Sequence, residues 1–474
     1  MGACLANNND CSPFPKAIAQ SNGLPIEQVY KLTKKIGGGA FGTVWLAQRK
    51  DNSKCKFAIK KINKKEVQET EINLLRREID ILKEVDHPNI IKFYETYEDS
   101  NFIYIVMEYC SGGELFTKIT SQGYLHENEA KLYMNKMLMA VSHLHSLKIV
   151  HRDLKTENFI FDSKCASKEL KLVDFGLSNK FSRNFEQMHS QVGTIYYVAP
   201  EVLKGNYNNK CDLWSLGVLM FTMLSGDLPF YDESLPEVYR KLNSGLYSFS
   251  SKNWESVSGT AKDLISNLLV VNPEDRFSAI DALSHEWFNS LQRCESLMTA
   301  SIYESFKNFR RHSMFQREAL RVMVKHVPEE KLEKLKKLFF SLDKSRSGLV
   351  KTEDLIKSMK KLGNLNEKEI ADVISSMESN QNGMIYYSDF ISAALLAKKE
   401  IMEEALWLTF KQLDADNKGC ITESSLKKSF ECMGRNITDE QIQDIIVTVN
   451  ETGGLITYDD FKEIIFRTTE GQSL

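Results

Sequence analysis

The sequence has no run of about 18 apolar residues, so none of its 474 residues reads as part of a membrane-spanning helix. No CxxC pair occurs among the nine cysteines, scattered at positions 4, 11, 55, 110, 165, 211, 294, 420 and 432. Zinc sites and disulfide frameworks are therefore not expected. Neither sign of charge prevails: 61 Lys and Arg face 64 Asp and Glu, a net charge of −3. A chain this balanced offers no field for nucleic acid. No secretory h-region follows Met1. These absences predict a reduced, cytoplasmic protein.

What is present is ordinary for globular protein, 42% hydrophobic and 26% charged, and the length suggests about three domains. Residues 1–28 are polar and punctuated by proline, so a flexible segment is expected. Gly2 follows Met1 as N-myristoylation requires, and Cys4 is placed for palmitoylation, but Ala6 stands where Ser or Thr is preferred. One acyl chain binds membranes only marginally, so both would be needed. Two readings stand: an acylated N-terminus that brings the protein to a membrane surface, and a plain polar tail.

The most informative segment is HRDLKTEN at 151–158, followed by DFG at 174–176. In order they supply a base, a cation and two metal ligands, the set needed for phosphoryl transfer from ATP. Asp153 suits the removal of a hydroxyl proton, Lys155 the neutralisation of a phosphate, and Asn158 and Asp174 the binding of Mg2+. GGGAFGTV at 37–44 fits G-x-G-x-x-G-x-V, whose glycines let the backbone close over phosphates. It precedes AIK at 58–60, where Lys60 would grip the α- and β-phosphates. Glu78 is its expected partner, on a helix predicted over 69–85 from the spacing of Ile72, Leu75, Ile79 and Leu82. IYIVMEYC at 103–110 reads as a buried strand entering an adenine-binding hinge. Backbone near Glu108 and Cys110 would bond the base, and Met107 would narrow the pocket behind it. The expected ATP site is thus Ile36, Gly37, Gly38, Gly39, Gly42, Val44, Ala58, Lys60, Met107, Glu108, Cys110, Glu114 and Ile160. Cys110 shows no sign of chemistry of its own.

Between Asp174 and APE at 199–201, Ser190 lies three residues before Gly193, where many kinases carry an activating phosphate. Arg152 would pair with that phosphate; an unmodified serine is the other reading. Thr194 is expected to bond Asp153 or Lys155 and position the substrate. Glu201 with Arg276, and Asp212 with the catalytic-loop backbone, are expected scaffold contacts. Glu114 and Glu157 are expected to flank the peptide groove and favour Arg or Lys before the acceptor Ser or Thr. The alternative is that Glu114 meets only the ATP ribose.

Residues 296–330 are basic and amphipathic, and four helix–loop–helix segments follow over 331–470. Their loop glycines, Gly348, Gly383, Gly419 and Gly454, are spaced 35, 36 and 35 apart, which marks a repeat. From Tyr30 to Leu474 the chain resembles the calcium-dependent protein kinases of plants and protists, and its hairpin between Asn158 and Asp174 is closer to the protist forms. The resemblance implies an α+β protein: a bilobal kinase fold followed by an all-α calmodulin-like domain of two EF-hand pairs. The expected divisions are an N-terminal segment over 1–28, a kinase domain over 29–289, a junction over 290–330 and the calmodulin-like domain over 331–474. It implies a Ser/Thr kinase using ATP and Mg2+ on protein substrates, held off by its junction and released when Ca2+ reshapes the C-terminal domain. In that junction Lys307, Arg310, Arg311, Arg317, Arg321 and Lys325 surround Phe306, Phe309, Met314, Phe315, Leu320, Val322 and Met323. A basic amphipathic helix is the usual target of a calmodulin-like domain. Lying in the substrate groove, or simple packing, are the alternatives.

The EF-hand loops depart from pattern, because none has the bidentate Glu that a calcium loop carries at position 12. The first offers Asp343, Ser345 and Ser347, then Asp354 at position 12; the second starts at Glu378, keeps Asn380 and Asn382, and ends on Asp389. The third has Asp414 and Asp416, but Lys418 at position 5 and Ser425 at 12; the fourth runs from Val449 through Gly453 to Asp460. Asp is a methylene shorter than Glu, and Lys418 sets a cation among the ligands. From Lys331 onward 24 acidic residues face only 20 basic ones, a weak balance for a calcium-binding domain. The expectation is that at most one or two loops bind Ca2+, weakly, the first foremost. Three functions compete: an active kinase with weakened calcium control, a fully calcium-activated one, and a scaffold or pseudokinase acting through its C-terminal domain. Intact Lys60, Asp153, Asn158 and Asp174 argue against the last.

Overall fold

The computed structural model describes residues 25–39, 42–67, 69–164, 168–180, 192–291, 298–360, 367–377, 383–395, 403–432, 437–449 and 455–466. Five antiparallel strands, β1 (Tyr30–Gly39), β2 (Gly42–Arg49), β3 (Lys56–Asn63), β4 (Phe93–Glu98) and β5 (Phe102–Glu108), form one sheet in the order β1-β2-β3-β5-β4. The β-branched and aromatic residues of FIYIVME suit a central strand. Register sets Val44 opposite Lys60 and Ala58 opposite Met107. A Cβ at Gly42 would lie 2.3 Å from the Lys61 carbonyl oxygen, so glycine is required where the phosphate-loop segment folds onto β3. The helix Glu69–Glu84 buries Ile72, Leu75, Ile79 and Leu82 against the sheet and ends one residue before the predicted boundary.

The second lobe is helical. Its central helix, Lys210–Ser225, is buried from Cys211 through Ser225, as its nearly unbroken apolar sequence requires. The hairpin Phe159–Phe161 and Leu170–Leu172 carries the catalytic segment.

A second hydrophobic core belongs to residues 298–465. Two short antiparallel strand pairs tie four helix–loop–helix units into two pairs, with Val350 opposite Ile385 and Ile421 opposite Ile456. The junction is not one helix but two, Ala300–Arg311 and Met314–Val324. His312 is extended between them, and Ser313 opens the second with a capping box to Gln316. Phe306, Phe309, Phe315, Leu320 and Met323 are buried in the C-terminal core, so the two described junction helices pack with the EF-hand helices and not in the kinase cleft.

The C-terminal body rests on the kinase through a polar seam. Glu329 meets Lys92 at 2.7 Å and Lys171 at 3.5 Å, Lys336 meets Glu169 at 3.0 Å, and Asp86 accepts the Ser388 N–H at 2.8 Å. His326 stacks on Tyr94 and bonds Gln412 at 2.8 Å. Among the described residues no helix is long and apolar enough to cross a membrane.

Candidate functional site

β3 and the helix Glu69–Glu84 bring Lys60 Nζ to 2.6 Å from Glu78 Oε1, with Asp174 Oδ1 at 3.9 Å. Burial alone would lower the pKa of Lys60, but Glu78 and then Asp174 outweigh it and hold the ammonium charged. Asp174 adopts a left-handed backbone, φ 66°, and its side chain is 47% exposed toward the cleft. Asn158 donates its side-chain amide to the Asp153 carbonyl at 2.6 Å, which leaves its Oδ1 as the acceptor end. Lys155 Nζ lies 2.7 Å from Asp153 Oδ2, while Asp153 Oδ1 is buried with no hydrogen-bond partner among the described residues. That oxygen can accept a proton from an incoming hydroxyl. An exposed carboxylate, an amide oxygen and a lysine held charged between acids fit a magnesium–nucleotide phosphate group.

Asp212 fixes the loop beneath. Its carboxylate accepts the His151 N–H at 3.0 Å and the Arg152 N–H at 2.9 Å, and His145 Nε2 lies 2.9 Å away. Burial would raise the pKa of Asp212, yet His145, His151 and these bonds lower it. Arg276 holds Glu201 through two bonds of 2.6 and 3.0 Å. Arg152 spends its guanidinium on the Leu177 carbonyl and the Tyr207 hydroxyl, at 2.6 and 3.0 Å.

Ile36 is exposed at the end of β1, beside Gly37 and Gly38, and Gly39 pairs with Gly42. Val44, Ala58 and Met107 stand on adjacent strands, and Ile160 pairs with Glu114 through an isolated bridge. Burial, then Glu108, pushes the Cys110 thiol well above its usual range, which leaves it protonated and inert. The Glu108 carboxylate meets Lys171 at 3.2 Å and accepts the Lys92 N–H at 3.2 Å. Glu114 and Glu157 are both exposed. Ser190, Gly2 and Cys4 lie outside the described residues, as does the side chain of Thr194.

The described EF-hand loops bond their acidic and hydroxyl groups to protein partners. In the first, Asp343 accepts the Gly348 and Ser347 N–H groups at 2.7 and 3.2 Å and the Ser345 hydroxyl at 2.9 Å, Ser345 and Ser347 Oγ lie 2.8 Å apart, and Asp354 faces Lys344 at 3.1 Å. In the second, Asp389 is fully buried and binds Arg321 Nε at 2.6 Å; residues 378, 380 and 382 lie outside the described set. In the third, Lys418 reaches Asp416 at 2.7 Å, and Ser425 Oγ accepts the Thr422 N–H at 2.8 Å. In the fourth, Asp460 caps its helix on Thr457, at 3.0 and 2.7 Å. All four position-12 groups thus have protein partners, that of Asp354 being the exposed Lys344, and among the described residues the first loop comes nearest to a donor set. The role of Arg321 has no signal in the sequence beyond the basic character of the junction.

Fold and cleft define a protein kinase coupled to paired EF-hands. The protein kinase domain family matches residues 30–288, and the EF-hand domain pair matches 332–395 and 403–466. Among curated proteins the chain is 36% identical over 405 residues to calcium-dependent protein kinase 3 of Plasmodium yoelii yoelii, covering 85% of this chain and 74% of that protein. It is 33% identical to calcium-dependent protein kinase 5 of Plasmodium falciparum, over 96% of this chain and 81% of the relative. Against calcium-dependent protein kinase 17 of Arabidopsis thaliana the identity is 35%, over 93% and 84%. The chain belongs to the calcium-dependent protein kinase family, and it is a serine/threonine protein kinase.

Proposed function

We propose that this kinase is catalytically competent, prefers acceptors preceded by Arg or Lys, and responds to calcium only weakly. One observation carries the competence: Lys60, Glu78 and Asp174 stand within a single ionic cluster while Asp153 Oδ1 has no hydrogen-bond partner among the described residues. In this reading Ile36, Val44, Ala58, Met107 and Ile160 enclose the adenine, and Gly37, Gly38, Gly39 and Gly42 close over the phosphates. The hinge backbone at Glu108 and Cys110 bonds the base. Asn158 and Asp174 hold Mg2+, which supplies charge neutralisation on the phosphate oxygens when bound. The acceptor hydroxyl gives its proton to Asp153 as its oxygen bonds to the γ-phosphorus. The bond from that phosphorus to the β,γ-bridging oxygen breaks, and ADP leaves. Lys155 steadies Asp153 and the transferring group, and Thr194 positions the acceptor. Glu114 and Glu157, both exposed, favour cationic side chains on the substrate.

The weak calcium response is supported by the protein partners of the position-12 groups Asp389, Ser425 and Asp460, with Asp343, Ser345, Ser347 and Asp354 as the remaining loop of interest. The names of the relatives support a calcium-activated kinase as the second reading. Phosphate transfer to a basic Ser/Thr peptide, with magnesium fixed and free calcium raised from chelator to millimolar, separates the two. A high rate that barely changes supports weak control, a steep rise near micromolar calcium overturns it, and no transfer under any condition overturns competence.

A further inference from the structure

We propose that Arg321 is a resident cation of the second EF-hand, doing there what calcium does elsewhere and fastening the junction to the C-terminal domain without metal. This deepens the weak calcium response proposed above and rests on that reading.

The guanidinium spans the hand from end to end. Its Nε donates to Asp389 Oδ1 at 2.6 Å, in the first turn of the exiting helix Tyr387–Leu395. Its NH2 group faces the Met377 and Ser376 carbonyls at 3.3 and 3.5 Å, on the last turn of the entering helix Glu367–Met377. Both carbonyls lie in the last described turn of that helix. A loop-bound calcium joins the position-12 carboxylate to the early positions of the loop, and Arg321 joins the same carboxylate to the two carbonyls just before position 1. Glu318, one turn back on the junction helix, binds the remaining face of the guanidinium.

Burial separates this contact from Lys344 at Asp354 and Lys418 at Asp416, while the one comparably buried loop pair among the described residues, Lys411 with Asp414, is looser at 3.4 Å and sits at position 1 of its loop. Arg321 and Asp389 are 8% and 0% exposed at their side chains, whereas Lys344 and Lys418 are 63% and 60% exposed and can swing away. For calcium to take Asp389 it would have to break the buried Arg321–Asp389 bond and re-place a buried guanidinium, so it competes at position 12 against a cation already in contact. The exiting helix is also held from the kinase side, where Asp86 accepts the Ser388 N–H at 2.8 Å. Asp86, Ser388, Asp389 and Arg321 therefore form one polar path from kinase to junction.

Hydrogen exchange on the full chain tests this without phosphate transfer, so it can fail while catalysis stands. In chelator and in millimolar calcium alike, Met314–Val324 and Tyr387–Leu395 should be equally protected. Arg321→Gln and Asp389→Asn should each raise exchange in both segments about tenfold or more in chelator. Protection of the kinase helix Lys210–Ser225 reports whether a variant still folds; if it is lost, the wild-type comparison decides alone. Junction protection that appears only on adding calcium, or folded variants that exchange as slowly as the parent, would overturn the proposal.

Discussion

The imidazole of His143, on a kinase helix, lies 3.3 Å from the Ser347 carbonyl oxygen in the first EF-hand loop. A carbonyl only accepts, so Nδ1–H is the donor, and Nε2 is left to accept the Asp86 N–H at 3.4 Å. One neutral ring thereby joins the EF-hand loop to the kinase. The adjoining Gly348 has φ +70°, and a Cβ there would sit 2.7 Å from His143 Nδ1. Gly348→Ala should therefore weaken docking by about 1–3 kcal/mol, from backbone strain and the clash with the ring. Limited proteolysis between the two bodies should accelerate while the kinase domain melts as before. Unchanged cleavage would contradict the seam described here.

Docking should also be acid-sensitive. Burial depresses His143 to about 4 and His326 to about 3. His87, stacked on His143, is pushed well below the usual range by burial, then by His143, Lys336 and Lys171, with Glu329 acting the other way. All three are neutral when docked and charge near 6.5 when released. Their stabilisation is complete above about pH 6.5 and is lost as pH falls through the depressed values, by about 3 kcal/mol for His143 alone. Protonating His143 Nε2 also removes the acceptor of the Asp86 N–H. Small-angle scattering from about pH 8 down to about 4 should show the bodies separating while helical circular dichroism persists. A particle of constant size across that range would refute this.

The kinase half could be read from residues in order because phosphoryl transfer needs its groups on short contiguous motifs. HRDLKTEN alone names Asp153, Lys155 and Asn158, and the helix after Lys60 offers Glu78 at the right depth. The EF-hand repeat was equally open, since its position-8 residues Val350, Ile385, Ile421 and Ile456 are what the strand pairs require. The break in the junction was within reach too: Ser313 and Gln316 form an S-x-x-Q start signal. What the sequence hides are contacts between distant, unpatterned residues. Arg321 is one of seven Lys and Arg residues in the junction, and nothing local selects it for Asp389, 68 residues on. His143 looks like any buried helix histidine until Ser347 is set beside it.

In the active site, Asp153→Asn keeps the shape and removes the proton acceptor, so kcat should fall about 10²–10⁴-fold with little change in nucleotide binding. Glu78→Gln should cost about 10- to 100-fold in kcat/KM, because Lys60 would then lie beside Asp174 alone. Steady-state kinetics alongside nucleotide titration distinguish the two losses. Asp153→Asn retaining near-parent turnover would remove Asp153 from the role of base.

Substrate preference turns on two exposed carboxylates, Glu114 at the start of the helix Leu115–Gln122 and Glu157 in the turn Thr156–Asn158. Neither takes part in an ion pair among the described residues. Each is therefore available to a substrate cation, at a solvated position where one pair is worth about 1 kcal/mol or less. Glu157→Gln and Glu114→Gln should each raise KM for a basic peptide several-fold, and the double variant about tenfold, with kcat nearly unchanged. A parallel peptide lacking Arg and Lys should show no change, and high salt should shrink the difference between the peptides. The two roles proposed for Glu114 also separate here. If it holds only the ribose, Glu114→Gln will raise KM for ATP and leave that of the basic peptide untouched.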